Sequence, residues 1–221
     1  VYLTIDETIQ SICEKYMQKG VEDNNVLNKG VCIAMDVNTG AILAMVTTDG
    51  YDLNNPYELS AKDKKKIKST SKKKQAEAES AALSNMWRNK AVADTYMPGS
   101  VFKMCVASAA LEENLVNDKT SFTCTGSIEV EGETIHCSNI SGHGTQNFVE
   151  VISNSCNPAF IQIGQMLGAG KFRQYYQGFG FSDKTGIDLP GEAEDSFWKE
   201  GKMGGVDLAV ASFGQNFTIT P

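Results

Sequence analysis

A serine and a lysine stand three residues apart in the stretch DTYMPGSVFKM, between a Pro-Gly turn and an apolar run that predicts a helix. A serine hydroxyl is a poor nucleophile at neutral pH until a neighbouring base takes its proton. At helical spacing, Ser100 and Lys103 share one face and lie within reach of each other. An ammonium group cannot accept a proton, so this chemistry requires a Lys103 whose neutral form is accessible through burial or nearby positive charge. The pattern alone is weak, because serine at a helix N-terminus is most often a cap.

A second pair of polar side chains strengthens the interpretation of Ser100 and Lys103 as catalytic residues. Ser155 and Asn157 lie in a polar break between two segments that have helical periodicity. A hydroxyl and a carboxamide two residues apart can relay a proton and hold a substrate amide. S-x-x-K followed by S-x-N makes up two of the three sequence motifs of penicillin-binding proteins and serine β-lactamases.

The elements that position these residues follow from the hydrophobic pattern. Residues 1–50 predict a helix and then a β-hairpin, in which GVCIAMDV and AILAMVT are joined by the turn NTG. Residues 51–93 include the lysine-rich run SAKDKKKIKSTSKKK, which we interpret as a solvated helix or mobile insertion rather than a site for anionic partners. Residues 94–221 predict a mainly helical lobe. The helix after Ser100 carries an apolar stripe that we expect to be buried: Val101, Met104, Cys105 and Ala109.

Composition excludes several classes of protein. The 221 residues are 41% hydrophobic and carry a net charge of −7, which disfavours nucleic acid and anionic lipid as partners of the whole surface. The sequence contains neither an apolar run of about 20 residues nor a signal-peptide pattern. The chain starts in an extended segment and stops within SFGQNFTITP, so we interpret it as part of a longer protein.

The chain resembles the transpeptidase domain of class B penicillin-binding proteins, especially the division and sporulation group of Gram-positive bacteria. The matching phrases span nearly the whole sequence in the family's order: LTID, MDVNTGAILAM, YMPGSVFKM, GHGTQNF, NSCNPAFIQIG, GFGFSDKTGIDLPGEA and SFGQNFTITP. The resemblance implies an α+β fold of the penicillin-binding-protein and serine β-lactamase type. This fold has an antiparallel sheet flanked by helices and a mainly helical lobe, and its last strands would lie beyond Pro221.

The resemblance also implies a role for each motif residue. Ser100 would attack the penultimate D-alanine carbonyl of a peptidoglycan stem peptide, with Lys103 as general base. Ser155 would pass the proton to the leaving D-alanine, and Asn157 would orient Lys103 and the substrate amide. An amine of a second stem peptide would resolve the acyl-enzyme, and β-lactams would acylate the same serine. No cofactor is required for this acyl transfer.

The resemblance further implies a cellular setting. The expected partners are peptidoglycan stem peptides, β-lactams and other cell-wall synthesis proteins, without nucleic acid. The expected location is the extracytoplasmic face of the bacterial membrane, reached through an N-terminal anchor that this chain does not include. Rival functions are a D,D-carboxypeptidase or β-lactam-hydrolysing enzyme of the same fold, and a penicillin-binding sensor or scaffold without turnover.

Two departures from the family concern the active site. Lys184-Thr185-Gly186 matches the third motif of the family, but it follows S-x-N by only about thirty residues, and Pro190 and Gly191 prevent its continuation as a central strand. We therefore reject it as the catalytic strand. The second departure is Met97, where many relatives carry glutamate before the Pro-Gly pair, so a charge near the site is missing.

Three further residues form a candidate metal site. Cys124 and Cys137 fall on one face of a hairpin centred on Glu131-Gly132, where zinc could bridge their sulfur atoms. His136 would join them only if a bulge or strand end turned its side chain, and a fourth ligand would be needed. Cys124, His136 and Cys137 are therefore candidate ligands of a structural Zn²⁺. A disulfide and free thiols remain alternatives, and His143 and Cys156 lie nearby in sequence.

Overall fold

The computed structural model describes residues 2–26, 30–48 and 50–221. They form two compact units, one within residues 1–94 together with Pro221 and the other of residues 95–220. The helices are α1 (Glu7–Asp23), α2 (Ala61–Lys68), α3 (Gln75–Trp87), α4 (Lys90–Ala93), α5 (Lys103–Glu112), α6 (Phe148–Ser153), α7 (Asn157–Gly178) and α8 (Gly205–Ala211). The strands are β1 (Val31–Met35), β2 (Ile42–Thr47), β3 (Ser121–Cys124), β4 (Ser127–Val130), β5 (Glu133–His136) and β6 (Gly144–Asn147). In the described part of the chain, 3₁₀ helices span Lys72–Lys74 and Gly99–Phe102.

The first unit contains the predicted hairpin. β1 and β2 pair antiparallel, from Val31 opposite Thr47 to Met35 opposite Ile42. Helix α1 covers the outer edge of β2 through Gln10, whose Oε1 accepts a hydrogen bond from the Met45 N–H at 2.9 Å and whose Nε2 donates to the Met45 carbonyl at 3.2 Å. The carboxamide thereby replaces the backbone of a neighbouring strand.

The lysine-rich run is helical. It forms α2 and the 3₁₀ helix Lys72–Lys74, and its lysines are exposed. Ser60 caps α2, since its hydroxyl accepts a hydrogen bond from the Asp63 N–H at 3.1 Å. Of the two interpretations offered by the sequence, the structure agrees with the solvated helix.

The second unit is built around α5 and α7. The predicted buried stripe of the helix after Ser100 is wrong at two positions. Val101 is 69% exposed and Met104 is 58% exposed, whereas Ala109 is buried as expected. The buried face instead includes Phe102 and Val106, and the Phe102 ring packs against an aromatic cluster of Phe172, Tyr176, Phe181 and Phe217. Because α5 is apolar around most of its circumference, helical periodicity alone does not identify the face that packs.

The predicted break between two helices is confirmed between α6 and α7. Asn147 caps α6 in a reciprocal arrangement with Glu150, and α6 ends at Ser153. Helix α7 begins at Asn157 with Pro158 in its first turn and is interrupted at Gly168, where φ is +76°. The segment 154–156 therefore presents side chains between two helix ends.

The second predicted hairpin is confirmed for β4 and β5, which pair from Ser127 opposite His136 to Val130 opposite Glu133. Cys124, however, belongs to β3, which pairs with β6. In this pairing, Cys124 stands opposite Gly144. All strand pairs within the described ranges are antiparallel, and the mixture of helices and strands confirms the α+β class. Within these ranges, no helix has the length and apolar character needed to cross a membrane.

Candidate active site

Ser100 is exposed in the 3₁₀ turn that leads into α5. The preceding residue, Gly99, has φ of +61° and donates its N–H to the Gly214 carbonyl at 2.9 Å. Gly214 also has a positive φ, +82°, and a Cβ there would lie 2.0 Å from the Gly99 carbonyl oxygen. Two backbone hydrogen bonds between Tyr96 and Ile219, of 2.9 and 3.0 Å, continue this contact. The segment 214–219 thus fixes the backbone from which Ser100 projects.

Lys103 is buried one helical turn after Ser100, with 3% of its surface exposed. Its Nζ lies 3.2 Å from Ser100 Oγ and 2.9 Å from Ser155 Oγ. It also lies 2.8 Å from the Ser155 carbonyl oxygen and 2.7 Å from Asn157 Oδ1. The structure therefore brings together the four residues that the two motifs predicted.

The pKa of Lys103 is lowered from 10.5 to about 8. Burial is the principal cause, because the four oxygen atoms around the amine carry no formal charge that would stabilise an ammonium ion. Negative charge at Cys156 or Cys137 acts in the opposite direction and raises this pKa. At neutral pH a measurable fraction of Lys103 is therefore neutral.

The hydrogen-bond geometry around Nζ accommodates the neutral amine. The carbonyl oxygen of Ser155 and Oδ1 of Asn157 can only accept hydrogen bonds, whereas the two serine hydroxyls can donate or accept. A neutral amine has two N–H groups for the two obligate acceptors and one lone pair for a hydroxyl proton. The arrangement therefore leaves the lone pair of Lys103 available to Ser100 or Ser155.

Ser155 has a left-handed backbone conformation, with φ of +48°. This region is unfavourable for residues other than glycine. The turn is held by hydrogen bonds from the Ser155 N–H to the Ile152 carbonyl at 3.1 Å and from the Cys156 N–H to the Val151 carbonyl at 3.2 Å. In this conformation both the hydroxyl and the carbonyl of Ser155 reach Lys103.

Sequence reasoning missed two contributors to the site. The close approach of Gly99 and Gly214 joins residues 115 positions apart, and only the positive φ that glycine tolerates could have suggested it. The Phe160 ring lies beneath Lys103, with its centroid 5.4 Å from Nζ. This fully buried ring closes one side of the lysine pocket against water.

The two departures noted in the sequence lie outside regular structure. Lys184-Thr185-Gly186 is not in a strand, and Gly186 has φ of +75°. Thr185 donates through its N–H and hydroxyl to the Glu192 carboxylate, both at 2.7 Å. Met97 is 57% exposed.

The predicted metal ligands were Cys124, His136 and Cys137, and the structure shows that His136 is wrong. The side chains that converge are Cys124, Cys137, His143 and Cys156, whose ligand atoms all lie within 4.8 Å of one another. His136 is not in this group; it is exposed at the end of β5. No bulge turns it inward, whereas the pairing of Cys124 with Gly144 brings His143 beside the sulfur atoms.

The surroundings of the cluster favour the ionised thiol at Cys124 and the protonated thiol at Cys156. Burial raises the pKa of the Cys124 thiol, but hydrogen bonds from the backbone of His143 and Gly126 outweigh this effect and lower the pKa to about 7. Burial raises the pKa of the Cys156 thiol to about 11, although the nearby polar side chain of Gln146 acts in the opposite direction.

The side chain of Gln146 gives a further indication of what the cluster can hold. Gln146 is buried, and its Oε1 accepts a hydrogen bond from Asn154 Nδ2 at 2.9 Å, which fixes the orientation of the amide. Within the described residues, its Nε2 has no hydrogen-bond partner. A thiolate at Cys156 is a better acceptor for this N–H than a thiol is. An ionised Cys156 would satisfy this N–H, whereas burial alone keeps the Cys156 thiol protonated.

Comparison with known proteins gives consistent matches along the chain. A family model described as the penicillin binding protein transpeptidase domain matches residues 30–221. Stage V sporulation protein D of Bacillus subtilis (strain 168) is 35% identical over 220 residues, which cover 99% of this chain and 30% of that protein. The peptidoglycan D,D-transpeptidase MrdA of Acinetobacter baumannii is 27% identical over 234 residues, which cover 100% of this chain and 32% of that protein. The chain thus spans about a third of the length of these relatives.

Solved structures share the fold. A peptidoglycan glycosyltransferase structure from Burkholderia ambifaria has a TM-score of 0.77 at 22% identity, covering 99% of this chain and 57% of that one. The transpeptidase domain of penicillin-binding protein 3 from Burkholderia pseudomallei has a TM-score of 0.76 at 22% identity, covering 99% and 54%. At this level of identity the likeness establishes the architecture.

Proposed function

Because the chain belongs to the penicillin-binding protein transpeptidase family, we propose that it supplies the nucleophile and base of a peptidoglycan D,D-transpeptidase. The observation that carries this proposal is the 3.2 Å separation between Lys103 Nζ and Ser100 Oγ, with the amine buried and its pKa lowered to about 8. A neutral amine at hydrogen-bond distance from an exposed alcohol is the arrangement that general-base activation of serine requires.

The reaction proceeds in two acyl transfers. Neutral Lys103 takes the hydroxyl proton of Ser100 as the oxygen attacks the penultimate D-alanine carbonyl of a stem peptide. The new C–O bond gives a tetrahedral intermediate, and the C–N bond to the terminal D-alanine then breaks. Ser155, 2.9 Å from Lys103 Nζ, passes the proton to the departing amine. An amine of a second stem peptide then attacks the ester, its new C–N bond replaces the C–O bond to Ser100, and the proton that the amine loses returns to the Ser100 oxygen.

The remaining residues position these groups. Asn157 Oδ1 holds Lys103 at 2.7 Å and leaves its amide N–H groups free to orient the substrate, since their contact with the His136 carbonyl is long at 3.5 Å. β-Lactams follow the first half of the same path, because opening of the strained amide acylates Ser100. This function corresponds to action at the extracytoplasmic face of the membrane, where stem peptides are cross-linked.

Labelling with a fluorescent penicillin tests the nucleophile. The protein should be labelled covalently, and Ser100→Ala should abolish the signal. Ser108→Ala is the matched control, because Ser108 is exposed on the same helix and bonds only to the Met104 carbonyl among the described residues. Labelling that persists in Ser100→Ala would contradict the assignment.

Turnover separates the transpeptidase from its rivals. With a stem-peptide donor and an amine acceptor, a transpeptidase forms the cross-linked product and releases D-alanine. A carboxypeptidase releases D-alanine at the same rate without an acceptor. A sensor becomes labelled by penicillin but yields neither product, and that result would overturn the proposed activity.

We also propose that Cys124, Cys137, His143 and Cys156 hold a structural Zn²⁺. Three cysteines and one histidine form a common structural zinc set, and tetrahedral zinc separates its sulfur ligands by about 3.8 Å. The 3.6 Å contact between Cys137 Sγ and His143 Nδ1 and the 4.8 Å limit for the whole group are compatible with that geometry. Zinc would tie Cys156, which lies between Ser155 and Asn157, to β3 and thereby support the site without taking part in acyl transfer.

Elemental analysis of protein purified without added metal tests this second proposal. About one zinc per chain is expected, with loss of zinc in His143→Ala and retention in His136→Ala, the matched control on an exposed histidine. Zinc-free protein whose six cysteines all react with a thiol reagent would contradict it. A disulfide between two members of the cluster, detected by mass spectrometry, would do the same.

A further inference from the structure

The lysine-rich run gives the molecule a strongly asymmetric charge. Residues 61–74 contain eight lysines and one aspartate, a net charge of +7, on a chain whose total is −7. The rest of the chain therefore sums to −14. We refer to the exposed lysines of α2 and the following 3₁₀ helix as the lysine patch: Lys62, Lys64, Lys65, Lys66, Lys68, Lys72, Lys73 and Lys74.

The lysine patch has a defined local structure. Asp63 and Ile67, four residues apart on α2, are the half-buried positions of its core-facing side, so the lysines occupy the remaining surface of the helix. The turn into the 3₁₀ helix is held by the Ser69 hydroxyl, which donates to the Lys66 carbonyl at 2.6 Å. Gln75 Nε2 also donates to the Thr70 carbonyl at 3.1 Å. The two groups of lysines are thus joined by a hydrogen-bonded turn.

The protein's own acids leave most of this charge uncompensated. Among the described residues, only Lys64 has an acidic partner, Glu58 at 3.1 Å, and that contact is exposed. Asp63 is bound to the Ser60 cap, whose hydroxyl donates to its carboxylate at 2.6 Å. Like charges three or four residues apart on a helix repel each other. Helix α2 has four such pairs: Lys62–Lys65, Lys62–Lys66, Lys64–Lys68 and Lys65–Lys68.

Although the sequence alone favours a solvated helix without an anionic partner, the uncompensated charge in the structure changes that interpretation. We propose that the lysine patch is a docking surface for a flexible linear polyanion with repeated phosphate groups. Charge complementarity is the first reason, because such a chain relieves the repulsion among the lysines and releases its own counterions on binding. Residue type is the second reason. The patch contains lysine and no arginine, which suits diffuse attraction to phosphate rather than bidentate recognition of a single group.

The composition of the patch disfavours other anionic partners. Residues 61–74 contain no aromatic side chain, whereas binding of single-stranded nucleic acid relies on stacking against aromatic rings. A helix that lies in a membrane interface presents an apolar face for insertion, but Ile67 is the only large apolar residue of the segment and is half-buried against the protein. The surface therefore fits a solvated polyanion better than a base or a bilayer.

A binding assay with fluorescent long-chain inorganic polyphosphate tests the proposal. The patch variant is Lys65→Gln/Lys66→Gln/Lys73→Gln, and the matched control is Lys119→Gln/Lys199→Gln/Lys202→Gln, at exposed positions elsewhere. Both variants change the net charge from −7 to −10, so the total charge is equal in the two proteins. Circular dichroism verifies that each variant is folded.

The wild-type protein should bind polyphosphate with an affinity that falls steeply as salt increases. Loss of three lysine–phosphate contacts should lower the slope of log K against log salt by about 2 and weaken binding about a hundredfold near 0.1 M salt. The control variant should bind like the wild type. Equal weakening of both variants, or undiminished binding by the patch variant, would overturn the proposal.

Vesicles of anionic phospholipid form the second arm of the experiment. Binding to these vesicles without binding to polyphosphate would indicate that the patch contacts a membrane surface. That result would overturn the proposal of a polyanion partner. The absence of binding to either probe would also overturn the proposal. Penicillin labelling of Ser100 should be equal in all three proteins, so the result is independent of the proposed transpeptidase activity.

Discussion

The burial of Lys103 predicts a pH-dependent cost to folding that can be measured without any substrate. The pKa of Lys103 falls from 10.5 to about 8 in the folded protein. At about 1.4 kcal/mol per unit, this shift corresponds to about 3 kcal/mol of differential stability. The perturbation that isolates the effect is Lys103→Met, which keeps an unbranched apolar chain and removes the ionisable amine.

The sign follows from proton binding. Below about pH 8 the amine is protonated in both the folded and the unfolded state, so the cost of burying the ammonium is fully present. Between about 8 and 10.5 the unfolded state retains the proton that the folded state has released, and the free energy of unfolding increases with pH. Above this interval the cost has disappeared. Lys103→Met lacks this contribution at every pH.

Urea unfolding at a series of pH values between about 7 and 10 measures the effect. The free energy of unfolding of the wild type should rise relative to that of Lys103→Met by about 2 to 3 kcal/mol across the series. Lys119→Met, at an exposed lysine, serves as the control and should follow the wild type. A difference between wild type and Lys103→Met that does not vary with pH would refute the lowered pKa.

Two other substitutions, at Gly214 and Asn157, test the support of the site, and Gly170→Ala is the control for the first of them. Gly214→Ala should lower the free energy of unfolding by about 2 kcal/mol or more and slow penicillin labelling, because its Cβ would lie 2.0 Å from the Gly99 carbonyl oxygen. Gly170→Ala, on α7 with no atom within 4 Å of the new Cβ, should stabilise the protein by about 0.5 to 1 kcal/mol in the same urea experiment.

Asn157→Asp should raise the pKa of Lys103 and slow labelling at pH 7 about tenfold, since it places a carboxylate where Oδ1 now lies 2.7 Å from Nζ. A labelling rate unchanged in Asn157→Asp would contradict the electrostatic role of this contact.

The parts of the site that the sequence predicts correctly depend on local geometry. Ser100 and Lys103 are one helical turn apart, so their proximity follows from the helix alone. The break before Asn157 is visible because polar residues and Pro158 interrupt two apolar patterns. The approach of this break to Lys103 is a tertiary contact, which the resemblance to a family implies and the residue pattern does not.

The errors arise where packing partners decide the outcome. Val101 and Met104 form as regular a stripe as Phe102 and Val106, and only the aromatic cluster beside α5 determines which of them is buried. For the metal ligands, alternation along β5 does place His136 away from Cys137. His143 joins the three cysteines because β3 pairs with β6, and these two strands are separated in sequence by the β4–β5 hairpin.

The pH dependence of acylation tests most directly whether an uncharged Lys103 activates Ser100. The second-order rate constant for covalent labelling by a β-lactam should rise about tenfold per pH unit below about pH 8 and level off above it, following the pKa of Lys103. Ser100→Ala should give no labelling at any pH. A wild-type rate that stays constant from about pH 6 to pH 9 would show that no neutral amine is needed and would contradict the mechanism.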